Sequence, residues 1–192
     1  MKKIFTVMAV LASMSAFGQN KNCSFEYVKD GSSVNWVAFK TPKKVGVKGQ
    51  LTDFNIKAKS GTTAMGMLEG ATFDVNTQSV VTGDKARDAK IMQFFFKKML
   101  NKSVITGKVL KVSDKSADVE FTMNGKTKTV TMASVMDEKA NKLNLKGKID
   151  VLDFNLKSNL ETLTKACNAL HEGVTWPDVE IELIASVKKS CK

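Results

Sequence analysis

The feature that most constrains this chain is an apolar alternation of period two that recurs along almost its whole length. Val34, Trp36 and Ala38 open the first run, and Val45, Val47, Gly49 and Leu51 carry a second on to Phe54 and Ile56. Ala71, Phe73 and Val75 share one face of a third, Met67 to Val75. Val104 to Val112 follows, then Val119, Phe121 and Met123, then Val130 and Met132. Leu143, Leu145, Gly147, Ile149 and Val151 form the seventh run, and Val179, Ile181, Leu183, Ala185 and Val187 the eighth. Asn124-Gly125, between the fifth and sixth, is a hairpin signal of the type I′ kind, because both residues tolerate positive φ. The pattern therefore predicts eight strands.

Two segments break the period, Asp84 to Leu100 and Asn159 to Leu170. The second carries apolar Leu160, Leu163, Ala166, Ala169 and Leu170 at helical spacing, with Asn159 as its N-cap. Both are predicted as helical insertions, between strands 3 and 4 and between strands 7 and 8. Eight long antiparallel strands leave edges that closure removes, so the expected architecture is all-β, an eight-stranded antiparallel barrel. A barrel of this size can hold one small ligand. Its inward face is rich in Val, Leu, Ile, Met and Phe, which suits an apolar chain. A two-sheet sandwich with a filled core shares the same alternation. Trp36, Phe39, Phe54, Phe73, Phe121, Met123, Met132 and Leu145 line the lumen if the barrel is hollow and form generic core if it is filled. Trp176-Pro177 leads into the last strand and is expected to plug one end.

The first eighteen residues stand apart. Lys2 and Lys3 precede an apolar run, Ile4 to Met14, too short to span a bilayer, and Ala16-Phe17-Gly18 supplies small residues for cleavage. The expected domains are a signal peptide, 1–18, and a single β-barrel domain, 19–192. Asn20-Lys21-Asn22 before Cys23 is no lipobox, so the mature chain is expected in the periplasm or otherwise exported, without stable membrane anchoring. In an oxidising compartment the three cysteines permit one bridge and one odd thiol. Cys23 just before the first strand and Cys191 just after the last would meet at one end if those strands are antiparallel neighbours. Cys23–Cys191 is favoured on that ground, with Cys23–Cys167 and Cys167–Cys191 left open.

The formal charge falls from +11 to +9 once the two lysines of the leader are removed. Such a balance admits nucleic acid, anionic membrane or acidic ligands, and equally a plain soluble basic surface. Export and the lack of repeated aromatic–basic surfaces argue against nucleic acid. Thr41-Pro42-Lys43-Lys44 and Lys126 to Lys128 are expected to be solvated loop and hairpin surface. Metal-ligand spacings are missing, and no cofactor is expected. Cys167 and His171, at i, i+4, formally offer a nucleophile–base pair; a half-exposed thiol and a loop histidine is the stronger reading. The chain is not expected to be an enzyme.

From Ser33 onward the chain resembles the YceI-like family of exported, lipocalin-like, polyisoprenoid-binding proteins. The resemblance rests on VNWVAFKTPKKVGVKGQLTDFNI, then ATFDVNTQSVVTGDKARDAKIMQFFF, the NGKTKTVTM hairpin, LKGKIDVLDFNL and the closing VEIELIASV. It implies a barrel holding a long amphiphile (polyisoprenoid, quinone-like or fatty amide), tail in the lumen and head near the mouth, for transport, storage or sequestration. It implies roles for Arg87 and Asp88, either touching ligand or bracing the helix junction, and for Phe94, Phe95 and Phe154. Lys90 stands where the family typically has histidine, and could face an anionic or carbonyl head as a point charge. Val151 stands where an arginine is frequent, and Asn155 replaces the glycine after Asp153-Phe154. On this reading Thr82 to Met99 is a lid over the barrel mouth. A homodimer stays open. The alternative function is an envelope stress or interaction protein that uses its basic surface, with the barrel as scaffold.

Overall fold

The computed structural model describes residues 22–100 and 104–192. The predicted signal peptide, 1–18, lies outside the described residues. Ten strands, not eight, run in one antiparallel sheet: β1 Cys23–Lys40, β2 Val45–Leu51, β3 Phe54–Lys57, β4 Thr72–Asn76, β5 Val80–Val81, β6 Val104–Val112, β7 Ser116–Met123, β8 Lys126–Asp137, β9 Lys142–Asp150 and β10 Thr175–Cys191. Their order is β3-β4-β6-β7-β8-β9-β10-β1-β2-β5. The sheet curls through 280° and stays open, which overturns the closed eight-stranded barrel.

The physical reason lies at Thr52-Asp53. The alternating run from Val45 to Ile56 breaks there, and its halves pair with different neighbours, β2 with β1 and β5, β3 with β4. The two sheet edges thus meet at a corner with no ladder between them. Its backbone groups bond instead to the segment that joins β4 and β5. Thr52 N donates to Ser79 O (3.2 Å), Asp53 N to Ser79 Oγ (2.9 Å) and Asn76 N to Asp53 O (2.9 Å). A single bridge, Phe25 to Gly61, ties β1 to the stretch after β3.

Helices occupy the two ends of the curl. The segment Met67 to Ala71, expected as strand, instead holds the end of α1 (Ala64–Leu68) and a turn at Gly70, φ 76°. Thr63 caps α1 by accepting from Gly66 N, and the helix drives Met67 and Leu68 wholly out of solvent at one end. At the other end lie α2 (Lys85–Phe94), α3 (Lys157–Ala166) and α4 (Asn168–His171). Because two short strands precede it, α2 falls between β5 and β6, and α3 and α4 between β9 and β10; the positions expected from an eight-strand count are wrong. Asn159 is not the cap of α3. It is buried inside the helix and donates through Nδ2 to Phe95 O (2.8 Å), tying α3 to the end of α2.

The longest pairing joins the chain's two ends, from Cys23↔Cys191 to Lys40↔Thr175. Both cysteines lie within the strands, not beyond them, and form a disulfide. A bulge in β1 sets Lys29 to Ser32 opposite Ala185 and reverses the inward parity. Phe25 and Tyr27 face the interior before it, and Val34 and Trp36 after it. Gly31, at φ 76°, makes the turn of the bulge, and Ser32 Oγ fixes it by accepting from Ser186 N (2.9 Å) and donating to Val28 O (2.6 Å). The Asn124-Gly125 turn has both residues at positive φ, 50° and 74°, as the hairpin signal requires.

The disulfide links residues 168 apart in sequence, so it restricts the unfolded chain strongly. The double variant Cys23→Ser/Cys191→Ser should lose about 2–5 kcal/mol, measured by urea unfolding under oxidising conditions. An unchanged midpoint would mean that strand pairing alone holds the chain ends.

Candidate functional site

The interior of the curl is lined in layers by inward residues of facing strands, and glycines make room for the largest of them. Trp36 pairs across strands with Gly49, where an added Cβ would lie 2.2 Å from the indole ring. Phe73 lies likewise against Gly107, at 2.2 Å, and Phe73 meets Phe121 edge-on with centroids 5.4 Å apart. Large rings thus lie flat over bare backbone of the neighbouring strand. This leaves space along the axis of the curl.

Two cavities occupy that space. The inner one, about 120 Å³, is walled by apolar side chains from nearly every strand, including Phe54, Phe73, Phe121, Met123, Met132 and Leu145. The outer one, about 290 Å³, opens under α2, α3 and α4. Its floor is Ala38, Val47, Val151 and Val179; its roof is Ile91, Phe95 and Phe96 on one side and Leu160, Leu163 and Cys167 on the other. Trp36 borders both.

The outer cavity has a cationic rim. Lys40, Arg87 and Lys90 line it, with Asp84 as the only carboxylate. Asp84 caps α2, accepting from Ala86 N and Arg87 N at 3.0 and 3.1 Å, and lies 3.6 Å from Arg87 Nη2. Those bonds to backbone N–H, with the nearby Arg87 and Lys90 charges, hold its carboxyl below the usual range. Lys40 Nζ donates to Leu170 O (3.2 Å). Among the described residues Lys90 has no ion-pair partner within 4 Å. His171 completes the rim, its Nδ1 2.7 Å from Thr175 Oγ1.

The residues predicted for the site divide between these places. Phe54, Phe73, Phe121, Met123, Met132 and Leu145 meet around the inner cavity, while Phe39, Arg87, Lys90 and Phe95 meet around the outer one. Asp88 braces: its Oδ1 accepts from Thr82 N (2.8 Å) and Thr82 Oγ1 (2.6 Å), fixing the turn into α2. Phe94 packs into the cluster of Met99, Phe154 and Leu163, and Phe154 is fully buried core there. Asn155 takes φ 57°, the left-handed conformation that the glycine expected at this position would adopt freely. Trp176 forms one wall of the outer cavity instead of a plug, its Nε1 donating to Thr41 O (2.8 Å) with Lys44 Nζ 4.9 Å from its ring.

Sequence reasoning missed Lys40 and His171, which lie at opposite ends of the chain and meet only through the β1–β10 pairing and α4. The spacing of Leu160, Leu163, Cys167 and Leu170 could have marked the inner face of the two C-terminal helices. Cys167 is a buried free thiol on that face, not half exposed. A broader depression, about 940 Å³, crosses the outer face of β2, β1, β10 and β9. Lys146 and Lys148, two of its three lysines, are partnered by acids, Glu182 (3.0 Å) and Asp178 (2.7 Å), and Glu180 also lines it, so it presents mixed charge rather than a cationic site. Among the described residues, no group of three or more His, Cys, Asp or Glu could hold a metal ion, and no helix is long and apolar enough to cross a membrane.

Residues 25–186 match the YceI-like domain. The chain belongs to the YceI-like family. A polyisoprenoid binding domain from Saccharophagus degradans, implicated in plant cell wall breakdown, superposes with a TM-score of 0.59 at 16% identity, over 90% of this chain and 99% of that one. BcnA of Burkholderia cenocepacia gives 0.56 at 16% identity, over 82% and 96%. At such identities these structures share the fold with this YceI-like chain. No curated protein matches it in sequence.

His171 gives the rim of this family member a measurable signature. Burial first, then the Lys40 and Lys90 charges, push its imidazole below the ordinary value of 6.5. The unfolded chain binds this proton near pH 6.5, the folded chain only at lower pH. His171 therefore opposes folding as pH falls below 6.5, and is neutral in both states well above it. As the only histidine in the chain, it should titrate by proton NMR with a midpoint below that of the urea-unfolded protein. His171→Gln should flatten the acid-side loss of stability. A midpoint at or above the unfolded value would contradict the cationic rim.

Proposed function

We propose that this protein is an exported carrier that holds one long apolar-tailed amphiphile inside its curled sheet, for transport, storage or sequestration. The polyisoprenoid, quinone-like and fatty-amide classes remain the ligand candidates. The observation that carries the reading is a largely apolar inner cavity beside an outer one, the two sharing Trp36 as a wall, with Lys40, Arg87 and Lys90 on the outer rim. Each methylene moved from water into such a lining contributes about 0.8 kcal/mol, so a tail binds without specific contacts. The rim suits an anionic head, and Lys90 is its freest cation. Family membership and the polyisoprenoid binding relative support the same class of ligand. Cleavage of the leader at Gly18 would deliver the carrier to the periplasm. On this reading the site binds without turnover: Cys167 packs in the apolar roof, and His171 Nδ1 is engaged by Thr175 Oγ1. The reading as a scaffold with a basic surface fits less well, because the broad outer face alternates in sign.

Native mass spectrometry of the protein purified from its own host without detergent should show one lipid-sized adduct per chain. Ala38→Phe, which fills the outer cavity from its floor, should weaken uptake of a C16–C20 lipid by tenfold or more with the fold retained by circular dichroism. Lys90→Glu should lower the ratio of anionic-headed to neutral-headed lipid bound. A protein that is ligand-free from its host and takes up neither lipid in vitro would sink the proposal.

A further inference from the structure

The border between the two cavities contains one polar group that the protein leaves unused. Trp36 Nε1 is shielded from solvent and has no hydrogen-bond partner. Trp36 is also the one residue that lines both cavities, so a ligand spanning the two lies against it. Its cross-strand partners, Gly49 and Ile181, bring no side-chain acceptor, and its inward neighbours on β1 are Val34 and Ala38. The nearby amide and carboxylate engage each other: Asn35 Nδ2 donates to Glu182 Oε2 (3.3 Å), and Gln50 Nε2 to Asn35 Oδ1 (3.0 Å). The ring cannot turn toward the backbone of β2 either, since it already lies against Gly49. The chain's other tryptophan shows the ordinary outcome, with Trp176 Nε1 satisfied by a backbone carbonyl.

An indole N–H donates only, and a buried donor without an acceptor is destabilising. A pure hydrocarbon at this border would leave the donor unpaired, whereas a ligand oxygen would satisfy it. We infer that Trp36 Nε1 donates to a carbonyl oxygen of the bound lipid, so that the carrier selects amphiphiles with a carbonyl at the junction of head and tail over chains without one. The inference rests on the lipid-carrier reading and narrows its ligand class from apolar-tailed amphiphiles in general to acyl, amide or quinone-like ones. The rim then meets the head, Trp36 the carbonyl, and the inner cavity the start of the tail.

The test uses a matched pair, 1-palmitoyl-lysophosphatidic acid and its 1-O-hexadecyl ether analogue, which differ only in that carbonyl. Isothermal titration calorimetry of the full mature protein should show about tenfold tighter binding of the acyl lipid, the scale of one neutral hydrogen bond. In Trp36→Phe, which keeps a ring but removes the N–H, the acyl-to-ether ratio should collapse toward one. Independently of any variant, the two indole N–H resonances of the ¹⁵N-labelled protein provide a direct readout. That of Trp36 should move downfield with the acyl lipid and not with the ether, while that of Trp176 holds still. Equal affinity of the wild type for both lipids, an equal Trp36 shift with both, or a preference that survives in Trp36→Phe would overturn the inference while leaving the carrier standing. Failure of both lipids to bind would overturn this inference, and, together with a protein that is ligand-free from its host, the carrier reading as well.

Discussion

Everything at the two ends of this molecule hangs on the pairing of its first strand with its last. From Cys23↔Cys191 to Lys40↔Thr175, β1 and β10 run the full length of the curl, and no other pair does. At one end they carry the disulfide and the bridge to Gly61 near which α1 packs. At the other they bring Lys40 from one end of the chain against α4 from the other, with Thr175 holding His171. The bulge at Lys29 to Ser32 makes the long pairing usable. Without its reversal of parity, one half of β1 would point its apolar residues outward, and either Phe25 and Tyr27 or Val34 and Trp36 would be lost from the interior.

The open corner at Thr52-Asp53 has the opposite character. A closed barrel satisfies every backbone group by pairing, whereas here side chains and turns do that work over a few residues: Ser79, Asn76 and Asp53 bond one another across the gap. The outermost strands are short, four residues in β3 and two in β5, and β5 covers only Gln50 and Leu51 of β2. Short outermost strands are poor templates for another chain, which lessens the aggregation hazard that the argument for closure assumed.

That argument explains how much could be read beforehand. Alternation found the inward face of most strands, because each is half buried and its period is local. It joined β2 to β3 because Phe54 and Ile56 keep facing inward after the break, and nothing in one residue's chemistry reveals that its pairing partner has changed. It read Met67 to Ala71 as strand because a five-residue helix is too short to show its own period. The first half of β1 went unseen for a related reason: the bulge puts its inward residues out of phase with Trp36. Within the site, the aromatic linings were legible from alternation, and Arg87, Lys90 and Phe95 through the resemblance. The other half of the rim was not, since Lys40 and His171 are brought together only by tertiary structure.

The three phenylalanines at the end of α2 show how the lid is both apolar and anchored. Successive residues on a helix point about 100° apart, so they cannot share a face. The chain turns this to use by leaving the α-helix after Phe94 and entering a 3₁₀ turn at Phe96–Lys98. Phe94 goes to the packed cluster around Phe154, while Phe95 and Phe96 roof the outer cavity, edge to face with centroids 5.2 Å apart. No residue of α2 itself is buried; the helix is held at its start by Asp88 on Thr82 and just past its end by Asn159 on Phe95 O. An element fixed at its two ends, with Met92 packed against the Leu51, Phe54, Val75 and Val80 cluster and Ile91 shared between that cluster and the outer cavity, can roof a variable tail while staying half exposed. This accounts for a lysine-rich segment that carries three adjacent phenylalanines: its apolar surface faces the interior of its own fold.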